Sequence, residues 1–227
     1  SATLLKRLKK ADVLHIGGGG YLMGKTQSRL LDYLGLIHLA DYLGTDVILS
    51  GHNIGDWRSG YQKRLARKQL KKVMLIGLRD NKDSVQALKE AGVYHKDTVF
   101  PLFDDALFCD DISEDELNDH LQALGIKKED KYITVNVHYW IVPEKKVNAC
   151  LDEMAEVLSQ LSQKGYRLLF IPMDHKDRYA MEYLFARMNE TYPVLEYNMQ
   201  CRILVAAYRK AHMCITMKHH PIIFSMS

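Results

Sequence analysis

Short apolar runs and longer amphipathic stretches alternate along almost the whole chain. Asp12–Ile16 reads as a buried strand running into four glycines, Gly17–Gly20, and Leu30–Tyr42 as a mostly apolar helix. Asp46–Ser50 is predicted as a strand, Gly60–Lys72 as a helix, Val73–Leu78 as a strand and Ser84–Ala91 as a helix stopped by Gly92. Val99–Leu102 closes this half as a strand. The second half starts again with a strand at Tyr132–Tyr139. A helix follows, with Val147, Leu151, Met154, Leu158 and Leu161 along one stripe, and Gly165 ends it. Strand Arg167–Ile171, helix Tyr179–Met188, strand Val194–Tyr197, helix Arg202–Ala211 and strand Met213–Met217 complete the pattern, and an apolar helical turn begins after it. Repeated β-α-β units with short connections imply parallel sheets flanked by helices.

Between the halves, residues 104–116 carry Asp104, Asp105, Asp110, Asp111, Glu114, Asp115 and Glu116. A solvated linker with an acidic helix start explains them better than a metal site. They set the expected boundary between a domain of residues 1–109 and one of residues 110–227. The chain begins with Ser1 rather than Met and stops at Ser227 inside an element, so a longer parent protein is expected.

A content of 47% hydrophobic residues over 227 positions suits a packed globular protein, and no apolar run is long enough to span a bilayer. The four cysteines are widely spaced without a CxxC pair, which points to a reducing cytosol rather than a disulfide framework. The net charge of +3 is too small to argue for nucleic acid. Its distribution says more: residues 58–72 hold Arg58, Lys63, Arg64, Arg67, Lys68, Lys71 and Lys72 with no acid. The plain reading is a solvated helix face. The sharper one is a patch for an anionic membrane or a lipid-diphosphate-linked substrate.

Two stretches carry candidate chemistry. Gly19–Thr26 satisfies the phosphate-loop pattern GxxxxGK[ST], with Lys25 placed to reach an outer phosphate. No strand that follows ends in a clean aspartate for magnesium, so the more economical reading is that Gly17–Gly20 lets backbone approach a ligand, or another domain, at the end of a central strand. The other stretch is Met217-Lys218-His219-His220-Pro221. Here cationic side chains end a predicted strand, the edge at which open α/β sheets bind ligands. Asp174-His175-x-Asp177 also follows a strand and is read as a helix cap rather than an acid–base cluster.

Several segments, in order, resemble the polysaccharide pyruvyl transferase family. They are Asp12–Gly20, Gly51-His52-Asn53-Ile54-Gly55 (His52 standing where the family has Gln), Arg79-Asp80 with Ser84, Leu88 and Gly92-Val93, and Met217-Lys218-His219-His220 with Ile223-Phe224. The resemblance implies two Rossmann-like domains in a GT-B-like arrangement, both truncated at the chain ends, with an N-terminal strand and part of the last helix missing. It implies transfer of a pyruvyl group from phosphoenolpyruvate to a saccharide or lipid-linked oligosaccharide, as a ketal, in bacterial cell-surface polysaccharide assembly. The work would be cytoplasmic, at the inner face of the membrane, with no cofactor beyond the donor.

On this resemblance His220 is the candidate acid for the methylene carbon of phosphoenolpyruvate. Lys218, in place of an arginine, pairs with phosphate or carboxylate. His138 replaces another arginine at a strand end, while Arg79, Asp80 and Gly17, Gly18, Gly19 and Gly20 are expected to contact substrate. Each has a plainer reading as well: His138 as a hydrogen-bonded structural histidine, His219 as solvent-facing, Arg79 and Asp80 as an ion pair or cap. A lysine cannot reproduce an arginine's bidentate fork, so the donor is the open point. A GT-B glycosyltransferase using a nucleotide sugar, a non-catalytic relative and, more distantly, a phosphate-loop kinase stay open.

Overall fold

A computed structural model describes residues 2–25, 27–138 and 144–227. Thr26, the last residue of the phosphate-loop pattern, and Tyr139, the last of a predicted strand, lie outside the described residues. The chain forms two units, Ser1–Asp105 and Ala106–Ser227. The second starts ahead of the expected 109/110 division because Ala106 and Cys109 pack against its buried cluster.

The first unit runs α1 (Ala2–Leu8), β1 (Val13–Ile16), β2 (Gly19–Met23), α2 (Gln27–Tyr42), β3 (Asp46–Gly55), α3 (Gly60–Leu70), β4 (Leu75–Leu78), α4 (Asp83–Ala91) and β5 (Val99–Pro101). Its pairings are parallel in the order β1-β3-β4-β5, and β2 continues beside the far end of β3. The long crossovers that parallel strands need are supplied by the helices. Local chemistry fixes their ends: the Ser59 hydroxyl caps α3 by accepting the Gln62 N–H at 3.2 Å, and Gly92 stops α4 with φ of 65°. Leu22, Leu30, Ile37, Ile54, Leu78 and Leu88 form the fully buried centre.

The glycine run differs from the expected open loop. Only Gly17 and Gly18 break the strand, and Gly19–Met23 resumes it. The neighbouring strand bends at the same level, where Gly51 adopts φ of +59° and the register shifts. A Cβ on Gly18 would stand 2.8 Å from the Gly51 carbonyl oxygen, so glycine here serves close strand approach.

After a short 3₁₀ turn at Asp105–Phe108, the second unit runs α5 (Glu114–Ala123), β6 (Tyr132–Asn136), α6 (Glu144–Gln163), β7 (Arg167–Phe170), α7 (Asp177–Met188), α8 (Cys201–Arg209), β8 (Met213–Thr216) and α9 (His219–Met226). The acidic segment is therefore partly structured rather than a plain linker. Its parallel sheet has the order β7-β6-β8. Every residue of β6 is buried, with Tyr132 in one apolar cluster and Ile133 and Val135 in the other, as a strand covered on both faces requires. The stripe of α6 packs onto one face, where Val147, Leu151 and Leu158 are fully buried; each contributes roughly 1.5–3 kcal/mol. The strand expected at 194–197 reduces to a bridge between Val194 and Phe170. The Glu196 carbonyl accepts the Met199 N–H at 3.1 Å and turns the chain away.

Candidate active site

The carboxyl edge of the second sheet gathers polar groups from the end of each of its strands. Past β6 comes His138, past β7 come Asp174 and Asp177, and past β8 comes Lys218. Asp177 is the centre of the cluster, 1% exposed, in the first turn of α7. Its carboxylate accepts the Met173 N–H at 2.7 Å, the Asp174 N–H at 3.3 Å and the Asn136 amide at 3.4 Å. It also holds the Lys218 ammonium at 2.8 Å and Nδ1 of His138 at 2.6 Å. A carboxylate so deeply buried needs such compensation to stay ionised.

Lys218 reaches a second carboxylate, Asp174, at 2.7 Å. Burial works against the Asp174 carboxylate. The hydrogen bonds from Lys218 and the Lys176 N–H, with the Lys218 charge, outweigh it and hold Asp174 below the usual carboxylate range. His138, Asp174 and Asp177 bring their ligand atoms within 4.8 Å of one another, a spacing that suits a cation. The Lys218 ammonium supplies that positive charge itself, between both carboxylates. Asn136 ties the strands below: its amide donates to the Ile171 carbonyl at 2.9 Å, and its oxygen lies 3.2 Å from the Thr216 hydroxyl.

His220 follows Lys218 by two positions. It is exposed on the first turn of α9, with ring centroids 6.3 Å from Phe224 and 6.0 Å from His219. His219 is exposed too. The capping role read for Asp174 is corrected in detail. Helix α7 starts at Asp177 after Lys176, which makes no side-chain cap bond, while Asp174 accepts the Lys176 N–H at 2.7 Å in a tight turn. Sequence reasoning missed Asp177 and Asn136 as members of the site. The signals for them are an Asp-His-x-Asp run and an Asn, both at the carboxyl ends of apolar strands.

In the first unit the other candidates are bound to their neighbours. Arg79 holds Asn53 and Asp104. Asp80 accepts the N–H groups of Lys82, Asp83 and Ser84 and the Ser84 hydroxyl, capping α4. Burial opposes its ionisation, and those bonds lower its pKa nonetheless. At the glycine break, Asp105 accepts the Gly18 N–H at 2.7 Å and the Ser50 hydroxyl at 2.6 Å, and His15 reaches Ser50 at 2.7 Å. A carboxylate thus already occupies the Gly18 N–H. His52 lies fully buried beneath, 3.1 Å from the Ile16 carbonyl.

Two parallel-sheet α/β units in one chain are the fold class of the GT-B glycosyltransferases and epimerases. Three solved structures share it: MnaA of S. aureus with UDP (TM-score 0.58, 12% identity, 96% of this chain and 58% of that one), a protein of Listeria monocytogenes described as a UDP-N-acetylglucosamine 2-epimerase (0.54, 12%, 96% and 56%), and a UDP-forming trehalose-phosphate synthase of Burkholderia xenovorans (0.50, 12%, 94% and 55%). The chain spans little more than half the length of each. No curated protein shows significant sequence similarity to it. The polysaccharide pyruvyl transferase profile matches residues 2–227, and the chain belongs to that family.

Proposed function

We propose that the chain transfers a pyruvyl group from phosphoenolpyruvate to saccharide hydroxyls, forming a ketal, in bacterial cell-surface polysaccharide assembly. The observation that carries this reading is the Lys218 ammonium held at a strand end by the buried Asp177 carboxylate, which it shares with His138 from the adjacent strand. Phosphoenolpyruvate brings a phosphate and a carboxylate and needs fixed positive charge. Two of the three N–H donors of Lys218 serve Asp174 and Asp177, which leaves one for the donor. Asp174, 42% exposed, is the partner that an incoming phosphate can replace. His220, on the turn that follows Lys218, is the acid for the methylene carbon. Charge developing on the leaving phosphate is met by Lys218. No cofactor beyond the donor is called for.

The acceptor in this reading is a saccharide or a lipid-linked oligosaccharide, and the work is done in the cytoplasm at the inner face of the membrane. No described helix is long and apolar enough to cross that membrane. The UDP in the S. aureus MnaA structure makes a nucleotide-sugar donor the alternative. Calorimetric titration with phosphoenolpyruvate, UDP and ATP–magnesium separates the readings. Saturable phosphoenolpyruvate binding, lost in Lys218→Ala, supports pyruvyl transfer. Binding of UDP alone moves the reading to a nucleotide sugar, ATP–magnesium binding revives the phosphate loop, and silence for all three leaves a non-catalytic relative.

A further inference from the structure

We propose that the buried Asp177 carboxylate positions His138 as the general base of this site, with Nε2 taking the proton of the attacking saccharide hydroxyl. The inference rests on the pyruvyl-transfer reading for its substrate, and on the geometry of the cluster for everything else.

A carboxylate ion only accepts hydrogen bonds, so at 2.6 Å from Asp177 the Nδ1 of His138 carries the proton. The lone pair of the neutral ring is then on Nε2. The orienting carboxylate is itself held in place: the Met173 and Asp174 N–H groups, Asn136 and Lys218 all donate to it, and those groups come from the ends of three strands. His138 is 17% exposed, buried on its Asp177 side yet not sealed. A ring fixed in one tautomer by a buried carboxylate, with its second nitrogen left for a substrate proton, is the arrangement of a general base. Lys218 shares the carboxylate with His138, so the donor phosphate on Lys218 and the base stand side by side.

The step balances as follows. His220 gives its proton to the methylene carbon, and the electron pair of the carbon–carbon double bond forms the new C–H bond. The first saccharide hydroxyl oxygen bonds to the electron-poor carbon, and its proton passes to Nε2 of His138. The bond from that carbon to the phosphate oxygen then breaks, with the electron pair leaving on phosphate. The second hydroxyl closes the ketal and its proton goes to the departing phosphate. The proton gained by His138 balances the one lost by His220, and the two exchange through solvent before the next turnover. Asp177 touches no substrate and is a positioning residue.

The test is nitrogen NMR of the ¹⁵N-histidine-labelled chain, in wild type, Asp177→Asn and His138→Gln, the last assigning the His138 signals. The wild type is expected to show His138 as the Nδ1–H tautomer and Asp177→Asn to lose that preference, with Asp177→Glu restoring it. An Nε2–H tautomer in the wild type, or one unmoved by Asp177→Asn, overturns the proposal. Phosphate release from phosphoenolpyruvate with a panel of methyl glycosides supplies the second readout. Asp177→Asn is expected to lower kcat by roughly 10–100-fold with KM for phosphoenolpyruvate within about threefold. A change confined to KM overturns the base assignment while leaving the donor intact. If Asp177→Asn fails to fold, the wild-type tautomer and the kcat of His138→Gln decide the same question. Absence of both phosphoenolpyruvate binding and phosphate release in the wild type removes the pyruvyl reading, and the tautomer still decides whether Asp177 holds His138.

Discussion

Nδ1 of His138 and the carboxylate of Asp177 meet at 2.6 Å across 39 positions of sequence. One comes from the end of β6 and the other from the first turn of α7, so the contact exists only once the parallel sheet has formed. It makes Asp177 a structural as well as a chemical centre.

Asp177→Ala is accordingly expected to destabilise the second unit by about 3–5 kcal/mol, because it strands a largely covered lysine, an asparagine amide and two backbone N–H groups. Asp174→Ala removes a carboxylate that is 42% exposed and shares its lysine with Asp177, and should cost less than about 1 kcal/mol. Urea denaturation of the two variants checks the contrast. Equal losses would show that Asp177 is not the centre of the network.

What the sequence made legible follows physical reach. The stripe of α6 and the stops at Gly92 and Gly165 are written within a few residues, and both the helices and their glycine ends stand where the pattern puts them. Strand β2 was hidden because glycine is a poor strand former, and only the partner strand at His52–Gly55 makes Gly19–Met23 extended. The apolar run at Val194–Tyr197 predicts a strand where only a bridge at Val194 forms, because a local run cannot report the turn that follows it. At the site, Lys218 and His138 were visible as polar residues at strand ends. Their partner Asp177 was not, since its bonds to them span the fold and its spacing resembled a cap.

His52 gives the first unit a pH dependence. Burial is the main cause that pushes its pKa below the ordinary 6.5, with its hydrogen bond to the Ile16 carbonyl and the charge of Asp105 opposing. A base with a depressed folded pKa is neutral in both states above about 6.5. As pH falls below that value the unfolded chain gains a proton that the folded chain refuses, and stability drops until the lowered folded pKa is reached. The slope from this one group is at most about 1.4 kcal/mol per pH unit. His52→Gln, which restores the residue found in the family at this turn, is expected to flatten the fall in Tm between pH 7.5 and 5.5. An unaltered fall would place its origin elsewhere.

The paired bend of the two strands in the first unit predicts a sharp difference between adjacent glycines. A Cβ on Gly18 meets the Gly51 carbonyl oxygen at 2.8 Å and Asp105 at 3.3 Å, whereas one on Gly17 meets Asp105 at an ordinary 3.6 Å. Gly18→Ala should cost roughly 1–3 kcal/mol by overpacking, and Gly17→Ala should cost little. Thermal unfolding of both variants tests whether strand packing sets the glycine requirement. If Gly17→Ala were the more damaging, the glycines would be serving something other than the bend.

Helix α3 turns a basic face to solvent. Lys63 pairs with Glu90 at 3.7 Å and Lys72 with Asp41 at 2.7 Å, but among the described residues no carboxylate pairs with Arg64, Arg67 or Lys68, which are all exposed. Tyr61, 64% exposed on the same helix, adds a ring of the kind that sits at a headgroup boundary. A surface of this composition is expected to bind vesicles containing phosphatidylserine. Each basic residue near such a surface contributes about 1 kcal/mol, so reversing Arg64, Arg67 and Lys68 to glutamate should remove at least roughly 3 kcal/mol, a loss of two orders of magnitude or more in partitioning. The attraction is electrostatic, and raised salt should weaken it in the wild type. Co-sedimentation with anionic and neutral vesicles measures both effects. Equal binding to the two vesicle types, or binding that survives the triple reversal, would mean that α3 is an ordinary solvated helix.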